Sequence, residues 1–133
     1  MILFHHICIQ TNNYQASKDF YVNLLGFEVI KETKNFHQRA YNTWLKSSGM
    51  MIELQTPKQG TIFEPFNKEG EGIPHFCLLT DDINEVYDGL VSKGFFNFRP
   101  KEGQDIYQVE NCNLLKLIAP EGTIIEFRDQ YDL

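Results

Sequence analysis

The hydrophobic pattern opens with a stretch from Ile2 to Gln10 that reads as a strand with two faces. Leu3, His5, Ile7 and Ile9 share one parity and Phe4, His6, Cys8 and Gln10 the other, which is the period of a β-strand. The period then changes. Ala16, Phe20 and Leu24 recur at four-residue spacing with Tyr21 and Leu25 beside them, predicting a helix over about Tyr14 to Leu25. Asn12 or Asn13 can cap its start, and Gly26 ends it where a left-handed residue is needed. Strands are predicted at about Phe27–Glu32, Arg39–Lys46 and Met50–Gln55, with the turn Ser47-Ser48-Gly49 between the last two. Lys58 to Gly72, with three glycines and two charged clusters, reads as a loop. Beyond it the order starts again: a strand at Ile73–Thr80, and a helix at about Ile83–Lys93 capped by Asp82 and ended by Gly94. Strands are then predicted near Phe95–Arg99, Leu114–Ile118 and Thr123–Arg128, with a weaker strand pattern at Ile106–Val109.

The repetition extends to individual residues. Aligning His6 with His75 also aligns Cys8 with Cys77, Thr11 with Thr80 and Asn13 with Asp82. Gly26-Phe27 is matched by Gly94-Phe95, and Ile52-Glu53-Leu54 by Ile125-Glu126-Phe127. The pattern is strand–helix–three strands, twice. It predicts one α+β domain over residues 1–133 with an internal repeat of about 1–57 and 73–133. Neither half can cover both faces of its sheet alone, so the halves are expected to pair.

Composition narrows the partners. A formal charge of −6 over 133 residues argues against a nucleic-acid backbone, which needs clustered Lys and Arg. No apolar run reaches the length of a membrane span, and no signal-peptide pattern precedes the first strand. Cys8, Cys77 and Cys112 form no C-x-x-C pair, so a reduced, cytoplasmic protein is expected.

Parity also singles out four polar residues. His6, Glu53, His75 and Glu126 each lie on the strand face opposite a strongly apolar pair: Ile7 and Ile9, Ile52 and Leu54, Phe76 and Leu78, Ile125 and Phe127. If the apolar faces pack under the helices, these four line the other face of the sheet. Two imidazoles and two carboxylates are a donor set for nickel, zinc, cobalt, manganese or iron(II), with water in the remaining positions. A lone strand histidine or glutamate is more often structural. Four matched positions in two repeats favour a metal site at His6, Glu53, His75 and Glu126. His5 is left as a strand-end residue near the helices, His37 as a loop residue, and Cys8 and Cys77 as small apolar fillers.

The segments His6-Ile7-Cys8-Ile9, Ser17-Lys18-Asp19-Phe20-Tyr21, Leu25-Gly26-Phe27, Ile52-Glu53-Leu54, His75-Phe76-Cys77-Leu78 and Ile125-Glu126-Phe127 resemble the vicinal oxygen chelate superfamily. That superfamily includes glyoxalase I, bleomycin-resistance proteins, fosfomycin-resistance enzymes and extradiol dioxygenases. The resemblance covers nearly the whole chain except the middle of Pro100–Asn113. It implies two βαβββ modules forming a curved mixed sheet, a glyoxalase-like cup, with metal ligands at the same four positions. A carboxylate at Glu53 tilts the resemblance toward the glyoxalase I branch. The implied activity is a lactoylglutathione lyase-like proton shift on a small vicinal-oxygen substrate through a metal-stabilised enediolate, with Glu126 or Glu53 as the base. An iron(II) extradiol-type dioxygenase and a non-catalytic drug-binding protein are the alternatives. Gln10 and Pro57 stand where bacterial glyoxalase I has an Arg and an Asn that help hold glutathione, which argues against glutathione here. Arg39, Trp44, Lys101 and Tyr107 are candidate pocket residues. A homodimer is expected.

Overall fold

A computed structural model describes residues 1–133. The chain forms two compact units, Met1–Phe66 and Asn67–Leu133, each a βαβββ arrangement. In the first, β1 (Ile7–Gln10) leads through Asn13 into α1 (Tyr14–Asp19). The Asn13 side chain accepts from the Ala16 N–H, occupying one of the helix's free donors. The helix continues as a π-helical turn, Phe20–Leu24, whose wider winding keeps the adjacent Phe20 and Tyr21 both buried. Then follow β2 (Glu28–Phe36), β3 (Arg39–Ser47) and β4 (Met50–Gln55). The sheet order is β1-β4-β3-β2, with β1 parallel to β4 and the other pairs antiparallel.

The second unit repeats this order with β5 (His75–Leu79), α2 (Ile83–Ser92), β6 (Ile106–Val109), β7 (Cys112–Ile118) and β8 (Ile124–Arg128). Its sheet order is β5-β8-β7-β6, again with one parallel pair, β5 with β8. Asp82 caps α2 by accepting from the N–H groups of Asn84 and Glu85. In each unit the residues on the apolar face of the strands make the core: Ile9, Leu45, Ile52 and Leu54 in the first, Leu115, Leu117, Ile125 and Phe127 in the second. The alternation thus leaves the opposite parity, with the histidines and glutamates, on the other face.

Three expectations need correction. The first strand begins at Ile7, not Ile2. The parallel register Ile7↔Ile52 runs out of β4 at Met50, so nothing before His5 has a rung to join, and Met1 to Phe4 are exposed. Phe95–Arg99 is not a strand of the sheet; Ile106–Val109 takes that place beside β7. A local Phe98 N–H to Phe96 carbonyl bond breaks the extension, and Phe95 and Phe98 turn edge to face at 5.2 Å. The segment still touches β7 through Asn97, Arg99 and a single bridge, Phe98↔Leu117. Finally, the predicted linker divides: Lys58–Phe66 belongs to the first unit, where Asn12 clamps both the N–H and the carbonyl of Phe63. No helix is long and apolar enough to cross a membrane.

Candidate functional site

Ladder register places the first candidate pair. Cys8 on β1 stands beside Glu53 on β4, and Glu53 stands opposite Trp44 on β3, so these side chains share a face. His6, two residues before Cys8, has the same parity. Its Nε2 lies 3.7 Å from Glu53 Oε1. The other carboxylate oxygen accepts from Asn42 Nδ2 at 3.2 Å, which orients the group. Asn42 is 2 % exposed, and its Oδ1 has no partner. The His6 ring meets Trp44 edge to face at 4.7 Å, and its Nδ1 is 2.8 Å from His5 Nδ1. One of those two nitrogens donates and the other accepts. His5 therefore sits against His6 and Trp44, correcting its expected place beside the helices.

The second unit repeats the register. Cys77 on β5 pairs with Glu126 on β8, and Glu126 stands opposite Lys116 on β7. His75 Nε2 is 2.8 Å from Glu126 Oε2. Glu126 is 8 % exposed, an enclosed carboxylate whose direct partner is an imidazole. Tyr107 on β6 is on this side as well: partial desolvation and then the Glu126 charge raise its phenol pKa, opposed by Arg99. Lys101 lies over the Tyr107 ring at 5.8 Å.

Each thiol reports the same surroundings. Cys8 and Cys77 are exposed as residues, yet their sulfurs are shielded enough that desolvation, reinforced by Glu53 and Glu126 respectively, pushes each pKa up to about 11. They are neutral thiols at physiological pH.

The four predicted residues are thus gathered as two pairs, one per unit. Neither unit alone collects three or more His, Cys, Asp or Glu side chains into a group able to hold a metal ion. The pairs nevertheless suit one. Two donors each about 2.1 Å from the same divalent ion stand roughly 3 to 3.4 Å apart, and the observed separations of 2.8 and 3.7 Å bracket that range. Each pair offers an imidazole nitrogen and a carboxylate oxygen, the donor types that first-row divalent metals share. Asn42 and Lys116 are the neighbours that sequence reasoning missed. Asn42 reaches Glu53 by a side-chain hydrogen bond from the neighbouring strand, and Lys116 is the ladder partner of Glu126.

Comparison with known proteins identifies the family of this fold. Residues 5–109 match the model of the Glyoxalase/Bleomycin resistance protein/Dioxygenase superfamily. The uncharacterized protein YwkD of Bacillus subtilis (strain 168) is 33% identical over 95 residues, covering 68% of this chain and 70% of that protein. The mitochondrial methylmalonyl-CoA epimerase of Dictyostelium discoideum is 29% identical over 92 residues, covering 67% of this chain and 55% of that one. A glyoxalase family protein from Enterococcus faecalis superposes with a TM-score of 0.77 at 26% identity, over 96% of this chain and 97% of the other. The fold is also that of the Listeria monocytogenes fosfomycin resistance protein FosX complexed with Mn(II) and sulfate, with a TM-score of 0.69 at 11% identity over 98% of this chain and 94% of that one. The chain is a member of the glyoxalase/bleomycin resistance protein/dioxygenase superfamily.

Proposed function

We propose that His6, Glu53, His75 and Glu126 jointly hold one divalent metal ion, and that the protein is a lyase or isomerase of the glyoxalase I type acting on a small substrate with adjacent oxygens. One observation supports this above the others: both units carry a His–Glu pair at the same ladder position, next to a neutral cysteine. When bound, the ion would supply Lewis acidity toward the substrate oxygens. The chain's own contribution is proton movement. Glu126, the more enclosed carboxylate, takes a proton from the carbon beside those oxygens and returns it to the neighbouring carbon. Glu53, steered by Asn42, completes the ligand set. Tyr107 and Trp44 flank the two glutamates and limit what can approach. The epimerase relative is in keeping with a proton shift at carbon. The reading includes a homodimer, whose copies either each complete a site or share one, with the exposed Met1–Phe4 segment available for contact.

The test is metal content after gentle purification, followed by solvent-deuterium incorporation into 2-hydroxycarbonyl substrates with nickel, zinc, cobalt, manganese or iron(II) added. Stoichiometric metal and deuterium at the substrate carbon are expected, the deuterium lost in Glu126→Gln. Iron-dependent oxygen uptake with catechols would instead assign the dioxygenase reaction. A protein with neither metal nor turnover is a binding module, and the proposal falls.

A further inference from the structure

The first unit contains a cleft of about 580 Å³ at the end of its sheet, lined by none of His6, Cys8, Trp44 or Glu53. Its walls come from the start of α1, the β2–β3 turn and the chain after β4. Tyr14, Gln38, Arg39, Tyr41, Lys58 and Gln59 contribute, and no Asp or Glu lines it. This volume lies within the range of small-molecule sites.

The charge arrangement is what needs explaining. Arg39 and Lys58 face each other directly across an isolated antiparallel bridge. Like charges opposite one another in a ladder repel and destabilise it. Neither side chain makes a salt bridge. Arg39 spends one N–H of its fork on the Thr56 carbonyl at 2.7 Å, a neutral acceptor that fixes its position without cancelling its charge. The nearby acid Glu32 is already engaged, 2.6 Å from both Lys18 Nζ and the Tyr14 hydroxyl.

The surrounding backbone holds the two cations in place. Asn35, His37 and Gln38 all have left-handed φ, at 54°, 46° and 68°, a conformation disfavoured for residues other than glycine. The Gln38 carbonyl accepts from the Gln59 N–H at 2.7 Å, tying the turn to the strap after β4. Thr61 closes that strap on the Lys58 carbonyl through both its N–H and its hydroxyl. Tyr14 and Tyr41, stacked at 4.0 Å, form a rigid wall. The local charge balance is also distinct. Met1–Phe66 carries six Lys and Arg against five Asp and Glu, while Asn67–Leu133 carries six against thirteen.

We propose that this cleft binds a small organic anion bearing a phosphate or carboxylate, its oxygens bridging Arg39 and Lys58 and its body lying along the tyrosine wall. The anion converts a repulsive pair into a charge-assisted one. This site is separate from the metal reading and stands or falls without it.

Isothermal titration calorimetry at low ionic strength with inorganic phosphate, a sugar phosphate and a dicarboxylate tests the proposal. Saturable 1:1 binding is expected for at least one probe, and the phosphate and carboxylate arms identify the class. Lys58→Gln is the deciding variant, because that exposed side chain holds no structural bond in the unit. It should weaken binding about tenfold, the scale of one hydrogen bond to a charged group. Its ligand-free melting temperature should match or exceed that of the parent, since it removes the repulsion, and its metal content should be unchanged. No saturable binding by any probe, or binding that Lys58→Gln leaves intact, overturns the assignment.

Discussion

The two units carry the same pair of functional groups in different settings. Glu53 stands opposite an indole, is steered by an amide, and has its histidine at 3.7 Å. Glu126 stands opposite an ammonium-bearing lysine, is more enclosed, and has its histidine at 2.8 Å. The strand-level frame is the same in both, Cys8 beside Glu53 and Cys77 beside Glu126. Duplication thus preserved where the donors sit and left what surrounds them free to diverge. An enclosed carboxylate favours binding and releasing a proton, whereas an oriented, more open one suits ligation. Two matched His–Glu pairs need not therefore perform equal tasks.

The sharpest way to break this asymmetry is to remove each carboxylate in turn. Glu126→Gln should lower kcat by about a hundredfold or more, the ordinary contribution of a general base. Glu53→Gln should reduce metal occupancy first, with a smaller loss of turnover once metal is supplied in excess. Metal analysis alongside steady-state rates separates the two. Equal losses in both columns would mean that the units are functionally interchangeable.

The cores should behave alike where the sites do not. Leu54 and Leu117 are both fully buried, one in each sheet. Leu54→Ala and Leu117→Ala should each cost about 3 kcal/mol by urea unfolding. A large difference between them would show that one unit carries most of the stability.

The frame that the core and the site share was legible in the chain because it is written in parity. Alternation assigns every strand residue to a face, so Ile52 and Leu54 against Glu53 already separated core from site. The helix caps were also visible, Asp82 outright and the first as Asn12 or Asn13, of which the structure uses Asn13. What stayed hidden depends on partners distant in sequence. Ile2 to Phe4 read as the start of a strand, but the end of β4 decides that they have no rung. Phe95–Arg99 has strand-forming residues, yet its rings pack against each other and Tyr87, and the weaker pattern at Ile106–Val109 joins the sheet. Asn42 and Lys116 could not be named as neighbours of the glutamates before the ladder register was known. The Arg39–Lys58 bridge was equally invisible.

The thiols offer a probe of both sites at once. With each pKa near 11 rather than 9.0, the thiolate fraction at pH 8 falls about a hundredfold, partly offset by the greater nucleophilicity of a more basic thiolate. Metal-free protein should react with iodoacetamide about tenfold more slowly at Cys8 and Cys77 than a free cysteine does, with the rate climbing until pH passes 11. Glu53→Gln should speed Cys8 and Glu126→Gln should speed Cys77, because each removes the negative charge that opposes ionisation at its neighbouring thiol. Peptide mapping by mass spectrometry reads both sites in one sample. Rates at Cys8 and Cys77 equal to that of a free cysteine would contradict the shielding of the two sulfurs.

The smallest contrast lies at the helix starts. Asp82 accepts from two backbone N–H groups, at 3.0 and 3.1 Å, and places a negative charge at the positive end of the helix dipole. Asn13 accepts from one, at 3.2 Å, and is neutral. Asp82→Ala should therefore cost about 1 kcal/mol and Asn13→Ala about half of that. The α1 segment has a second anchor that α2 lacks. Ser17, fully buried, donates to Thr11 Oγ1, which in turn accepts from the Asn13 N–H, so the start of the helix is held from inside the core. Ser17→Ala should exceed Asn13→Ala in its effect, because it leaves Thr11 partly unsatisfied in a buried position. If thermal denaturation ranks the two the other way, the cap and not the buried hydroxyl pair sets the entry of α1.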